Sequence, residues 1–120
     1  MITIPLNPVT KKNSQRIVTN NKSKKPIIIP SKAYKQYEKD AKWFLSPLGI
    51  DVPVNIKCLF YMKTHTKVDL VNLLEAIDDI MVDAGTLIDD NCEIVAGHDG
   101  SRVYYDKENP RTEIYFEEIE

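Results

Sequence analysis

The stretch from Asp69 to Asp90 limits the possible folds of this chain more than any other. Leu70, Leu73, Leu74, Ile77, Ile80, Met81 and Ala84 recur at the spacing of one helical face, Asp69 offers an N-cap oxygen at the start, and Gly85 offers a stop. A helix with so broad an apolar stripe needs a surface to lie on. The preceding segment supplies one: Val54, Ile56, Cys58, Phe60 and Met62 alternate with Asn55, Lys57, Leu59 and Tyr61, which is the period of a strand with one face in a core.

The other elements are shorter. Ile2 to Ile4 reads as a first strand stopped by Pro5 and Pro8, and Lys11, Lys12, Asn13, Ser14 and Arg16 follow as a basic loop. Residues 16 to 19 and 27 to 29 flank NNKSKK as a basic hairpin or flap. Ser31 caps an expected amphipathic helix from Ser31 to Leu45, with Tyr34, Tyr37, Ala41 and Phe44 on one face and Lys32, Lys35, Lys39 and Lys42 on the other. After the central helix, strands are expected at 92–96, 103–105 and 112–116. With 120 residues and 42% hydrophobic content, the chain suits one α+β domain, a mixed β-sheet carrying two principal helices.

The opening MITIPLNPVTKKNS has no apolar run behind a basic patch, and no stretch nears the roughly 20 apolar residues of a membrane span. An unexported, cytoplasmic protein without a membrane partner is therefore expected. Cys58 and Cys92 are too few and too far apart for a disulfide framework or a zinc knuckle, and both read as buried thiols.

A formal net charge of −2 conceals a division: residues 1–67 carry 13 Lys and Arg against 3 acids, and residues 68–120 carry 3 against 15. The halves thus hold about +10 and −12, which reads as a polyanion-binding surface beside a cation-binding one, or as two faces that attract each other within the fold. Asn72, Glu75, Asp79 and Asp83 lie on one stripe of the central helix, with no Lys or Arg between Asp69 and Asp90 to balance them. A helix with Asp at its start, returning through a short turn to Asp89 and Asp90, collects oxygen ligands of the kind Mg²⁺ or Mn²⁺ takes. Such a cation serves phosphodiester hydrolysis by activating water and neutralising the transferring phosphoryl group. Asp69 also suits a plain N-cap, and Asp89 and Asp90 suit a plain turn.

The segment KVDLVNLLEAIDDIMVDAGTLIDDNCEI resembles the RusA-type Holliday junction resolvases, whose pattern is approximately D-x-D-N-L, a helix, then G and a hydrophobic spacer before D-D. Asp69, Asn72, Leu73, Asp79, Gly85, Asp89 and Asp90 match it, and the likeness extends over most of the chain, including the prolines and polar Asn-containing loop near its start. The resemblance implies a Mg²⁺-dependent homodimer that binds four-way DNA junctions and nicks opposed strands, in a bacterial cell and of bacterial or phage origin. It implies essential acids at Asp69 and Asp90, with Asp89 as a further metal ligand and Asn72 and Asp79 as structural neighbours of the site. Lys11, Lys12, Asn13, Arg16, Lys32, Lys35, Lys39, Lys42 and Lys67 are then the expected contacts to DNA.

Two positions depart from the pattern. The family's second helix-start Asp is Val71, and the Lys one turn later is Glu75. These positions are i and i+4, so a carboxylate is lost at one level and gained one turn on, where Glu75 is a candidate catalytic group. The rival readings are a weakened or inactive junction-binding protein and an acidic protein–protein interaction module. His65 and His98 have no partner spacing and read as neither catalytic nor ligating, while Tyr104 and Tyr105 read chiefly as core packing.

Overall fold

The alternation read in the sequence becomes the central strand of a sheet. In the computed structural model, which describes residues 1–11, 15–19 and 26–119, β4 spans Val54–Met62, with Val54, Ile56, Cys58 and Phe60 buried between less buried neighbours. The first strand, β1 (Ile2–Ile4), and the last, β7 (Arg111–Glu118), run antiparallel to each other, and β7 is antiparallel to β4 as well. On the other side of β4 lie two short strands, β5 (Val95–Gly97) and β6 (Arg102–Tyr105), both parallel to it. Together they act as one edge strand interrupted at residues 98–101, and the mixed sheet has five strands.

Parallel neighbours need a crossover, and it is the second of the two principal helices that provides it. The first helix, α1, spans Lys32–Ala41, and the second, α2, spans Leu70–Asp83. Leu73, Ile77, Ile80 and Met81 of α2 and Tyr37 and Ala41 of α1 join Ile4, Ile56, Cys58, Phe60 and Ile114 of the sheet in one core. The helices cover a single face. The expected α+β architecture of a mixed sheet with two principal helices is therefore found. No helix among the described residues is long and apolar enough to cross a membrane.

The ends of α2 follow their local chemistry. Asp69 accepts the Val71 amide at 3.0 Å, as an N-cap does. At the other end Gly85 has φ of +79°, and the Thr86 amide reaches back to the Met81 carbonyl at 2.9 Å while Gly85 reaches Val82 at 3.1 Å, the pattern of a left-handed C-terminal cap. Thr86 is then buried, its hydroxyl donating to the Ser46 carbonyl at 2.8 Å.

Several expectations need correction. The helix expected from Ser31 to Leu45 stops at Ala41 and tightens into a 3₁₀ turn over Lys42–Phe44. Pro47 disfavours helical backbone at the residue before it, and the tighter turn leaves Trp43 and Phe44 outside while Leu45 enters the core. The strand expected at 92–96 begins only at Val95, because Asn91 organises a turn: its side chain accepts the Glu93 amide at 2.9 Å and its carbonyl accepts Ile94 and Val95. Cys92 is therefore exposed, whereas Cys58 is buried as expected. The hairpin is present as antiparallel β2 (Gln15–Thr19) and β3 (Pro26–Pro30), with Arg16 within β2. Lys12, Asn13 and the hairpin tip lie outside the described residues.

Candidate functional site

Helix α2 carries acids on two of its flanks, and the chain that follows it decides which of them meet. After the Gly85 cap, the backbone of residues 85–88 runs beside residues 49–50, with Ile50 donating to the Thr86 carbonyl and Ile88 to the Ile50 carbonyl. That track delivers the Asp89–Asp90 turn alongside the helix it has just left. Asp89 is absorbed by the turn: one carboxylate oxygen accepts the Asp90 amide at 2.7 Å and the other accepts the Asn91 side-chain amide at 3.1 Å. Asp90 instead places its carboxyl against that of Asp79.

The Asp79 carboxyl titrates above the ordinary range because it is partly buried and because Asp90 adds a like charge, with Lys11 opposing the shift and Glu75 adding to it. Lys11, expected to contact DNA, therefore stands near this acidic pair. Tyr34 of α1 faces the same region. Burial first, then Glu38, Asp79 and Glu75, push its phenol well above the usual value.

The expected partnership of Asp69 with Asp90 has a different geometry. Asp69 caps the helix and Asp79 lies ten residues further on, about 15 Å along the axis at the rise of an α-helix. Asp79 is the helix acid that Asp90 meets. Glu75 is exposed one turn before Asp79, Asn72 is half-buried one turn earlier again, and Val71 is 67% exposed. At the far end of the stripe Asp83 forms an ion pair with Lys42, so one lysine of the expected DNA-binding row is engaged in holding the 3₁₀ turn after α1 to α2. Lys32, Lys35 and Lys39 remain exposed on α1, and Lys67 is exposed just before α2.

Among the described residues no group of three or more His, Cys, Asp or Glu side chains is gathered as for a metal ion. The abutting Asp79 and Asp90 carboxyls nevertheless fit a hard divalent cation, because Mg²⁺ commonly takes only one or two protein carboxylates and completes its shell with water and substrate phosphate. Two like charges held together raise the cost of ionising both, and a cation removes that cost.

One pair was absent from the sequence expectations. His98, read there as isolated, has Nε2 at 2.7 Å from Asp78 Oδ2 and Nδ1 at 2.8 Å from the Ile56 carbonyl oxygen. A carbonyl only accepts, so Nδ1 carries a proton, and a second proton must lie between Nε2 and Asp78. Burial lowers the imidazole pKa, but Asp78 and the Ile56 carbonyl outweigh it, so His98 titrates above its ordinary value. The Asp78 carboxyl is raised by burial, and its Oδ1 is buried with no hydrogen-bond partner among the described residues. The pair fastens the break between β5 and β6 to both β4 and α2. A sequence signal did exist: Asp78 is four residues after Leu74 and three before Met81, and so flanks the apolar stripe.

A raised histidine pKa fixes a sign. The folded protein holds this proton more tightly than the unfolded chain, so the stabilisation is complete below the ordinary imidazole value and is lost as pH rises through the folded value. Thermal melts in chelator at pH 6 and pH 8.5 should show a larger alkaline loss for wild type than for His98→Asn. Equal losses in the two proteins would contradict the pairing.

No curated protein is matched by this chain. The family model described as Endodeoxyribonuclease RusA matches residues 5–117, a span that takes in β4, β5, β6 and nearly all of β7 in the five-stranded sheet, the capped acidic helix and the Asp89–Asp90 turn. A match over nearly the whole chain, on a fold whose crossover helix brings its returning acids onto itself, places the protein in the RusA endodeoxyribonuclease family.

Proposed function

We propose that the protein is a divalent-metal-dependent, structure-selective endonuclease that binds four-way DNA junctions as a homodimer and nicks opposed strands by phosphodiester hydrolysis in the bacterial cytoplasm. The observation that carries this reading is the contact between the Asp79 and Asp90 carboxyls, in a chain of this family. Asp90 and Asp79 would hold Mg²⁺, or Mn²⁺ in its place, with Glu75 one turn away. The cation supplies charge neutralisation at the phosphoryl group and a more acidic water.

The chain's own residues have distinct parts in this proposal. Lys11 offsets the negative charge beside Asp79 and approaches the phosphate that the acids alone would repel. Arg16, Lys32, Lys35, Lys39 and Lys67 hold the DNA arms through backbone phosphates, so affinity falls steeply with salt. Asp69 keeps the helix start rigid through its Val71 contact and leaves a carboxylate facing the DNA there.

The test is cleavage of a labelled synthetic four-way junction beside a linear duplex, with and without Mg²⁺ or Mn²⁺. Paired nicks confined to the junction and dependent on metal are expected. Tight junction binding without cleavage under either metal would show a binding protein instead, and the double substitution Val71→Asp, Glu75→Lys should then create cleavage. Asp69→Asn serves as a separate check on the helix start. Asn caps as well as Asp, so the thermal midpoint should stay within about 1 °C while cleavage falls by about tenfold or more. Unchanged cleavage would reduce Asp69 to a cap.

A further inference from the structure

The sheet face opposite the helices is uncovered, and its rings are arranged in cross-strand rows. Tyr104 of β6 lies opposite Tyr61 of β4, with ring centroids 5.1 Å apart and planes at 18°, and Arg111 of β7 covers the same Tyr61 ring at 3.7 Å. Tyr105, one residue on and pointing to the other side, stacks on His65 at 3.6 Å between centroids. Tyr104 and Tyr105 are both about 40% exposed, which overturns the expectation of core packing. An edge strand at the limit of the helical layer has neither face covered.

Tyr104, Tyr105 and His65 border a cavity of about 300 Å³ at the ends of β4 and β6, lined also by Thr64, Thr66, Lys67 and Val68. It adjoins the start of α2, since Lys67 and Val68 immediately precede Asp69. The neighbouring acids Asp106 and Glu113 are both held by Arg111, at 3.0 and 2.8 Å. Lys67 and Arg102 are exposed and make no ion pair among the described residues. Exposed aromatic planes beside uncommitted cations are the chemistry that holds single-stranded nucleic acid, by stacking on bases and pairing with phosphates.

We propose that this crevice receives an unpaired nucleobase from the branch point of the DNA, stacked on the Tyr105 ring beside Tyr104, with its phosphate held by Lys67. The inference rests on the reading of the protein as a junction-acting nuclease and supplies what that reading lacks, a feature that separates a branch point from duplex. Fully paired duplex keeps its bases stacked and offers none to the crevice, whereas strands that exchange at a junction have bases that unstack at small cost.

The experiment is equilibrium binding by fluorescence anisotropy in chelator, with a four-way junction, a duplex and a single strand as probes. Tyr105→Ala and Tyr104→Ala are each expected to weaken junction and single-strand binding on the order of tenfold and to leave duplex binding within about twofold. Tyr105→Phe should restore wild-type binding, because stacking uses the ring and not the hydroxyl. A 2-aminopurine at the branch point should change emission on binding wild type and Tyr105→Phe, and not on binding Tyr105→Ala. Equal losses on all three DNAs, or none, would overturn the crevice while leaving the nuclease reading intact. A change in oligomeric state in the alanine variants would make the rings an interface between copies and overturn it too. Failure of wild type to bind any DNA would overturn both proposals.

Discussion

Asp90→Asn is expected to reduce metal-dependent junction cleavage on the order of 10³-fold or more, the scale seen when a group acting directly in catalysis is removed, while junction binding stays within about twofold. Asn keeps the shape of the side chain and removes its charge. In wild type the Asp90 charge is one of the causes that raise the Asp79 carboxyl, so the native protein bears a like-charge contact that serves no packing purpose. Asp90→Asn relieves it, and in chelator the variant should melt at the same temperature as wild type or higher. Adding Mg²⁺ should raise the melting temperature of wild type, because a cation that binds only the folded state stabilises it, and should do so much less for the variant. A variant that loses activity, keeps or gains stability and no longer responds to metal is the signature of a site selected for function at some cost in stability. Persistent cleavage by Asp90→Asn would remove Asp90 from the mechanism.

Phe60→Ala should cause the largest loss of stability in the described core. Phe60 is 1% exposed in the C-terminal half of β4, flanked by Val103 of β6 on one side and Thr112 of β7 on the other. Truncating a buried Phe costs about 3–5 kcal/mol, and for a domain of this size that lowers the melting temperature on the order of 10–20 °C. Total stability is commonly 5–15 kcal/mol, so a marginal protein would be partly unfolded at room temperature. Trp43→Ala is the control: a larger ring is removed from a position 83% exposed, and the melting temperature should move by no more than a few degrees. A small loss for Phe60→Ala would mean that β4 is not the centre of the sheet.

Elements whose shape is set by their own sequence were legible in it. The period of two in β4 and the apolar stripe, cap and stop of α2 are local signals, and from them follow the α+β class and the burial of one face. The end of α1 was less legible because Pro47 acts through geometry: it shifts the last turn to a tighter helix and exchanges Phe44 for Leu45 in the core. The start of β5 was hidden because the Asn91 turn competes with strand pairing, a contest that residue spacing does not reveal. The acids divided in the same way. Asp90 was readable as a candidate ligand and Asp79 only as a structural neighbour of the site, because which of the acids meet depends on the path of residues 85–88 beside residues 49–50. The Asp78–His98 bond links residues 20 apart across the crossover, so it exists only once the sheet does.

The order of strands has a consequence for how the protein is made. Strand β7 lies between β1 and β4 and bonds to both, with Ile114 facing Ile2 on one side and Cys58 on the other. A strand late in the sequence is therefore an interior one, and until it is in place β1 has no neighbour and β4 has one bare edge. Residues 1 to 110 can collapse, but they cannot close this sheet, so assembly of the domain awaits β7. The working shape would thus be acquired only once β7 joins, and fragments that lack it would be unpaired sheets for proteases to remove.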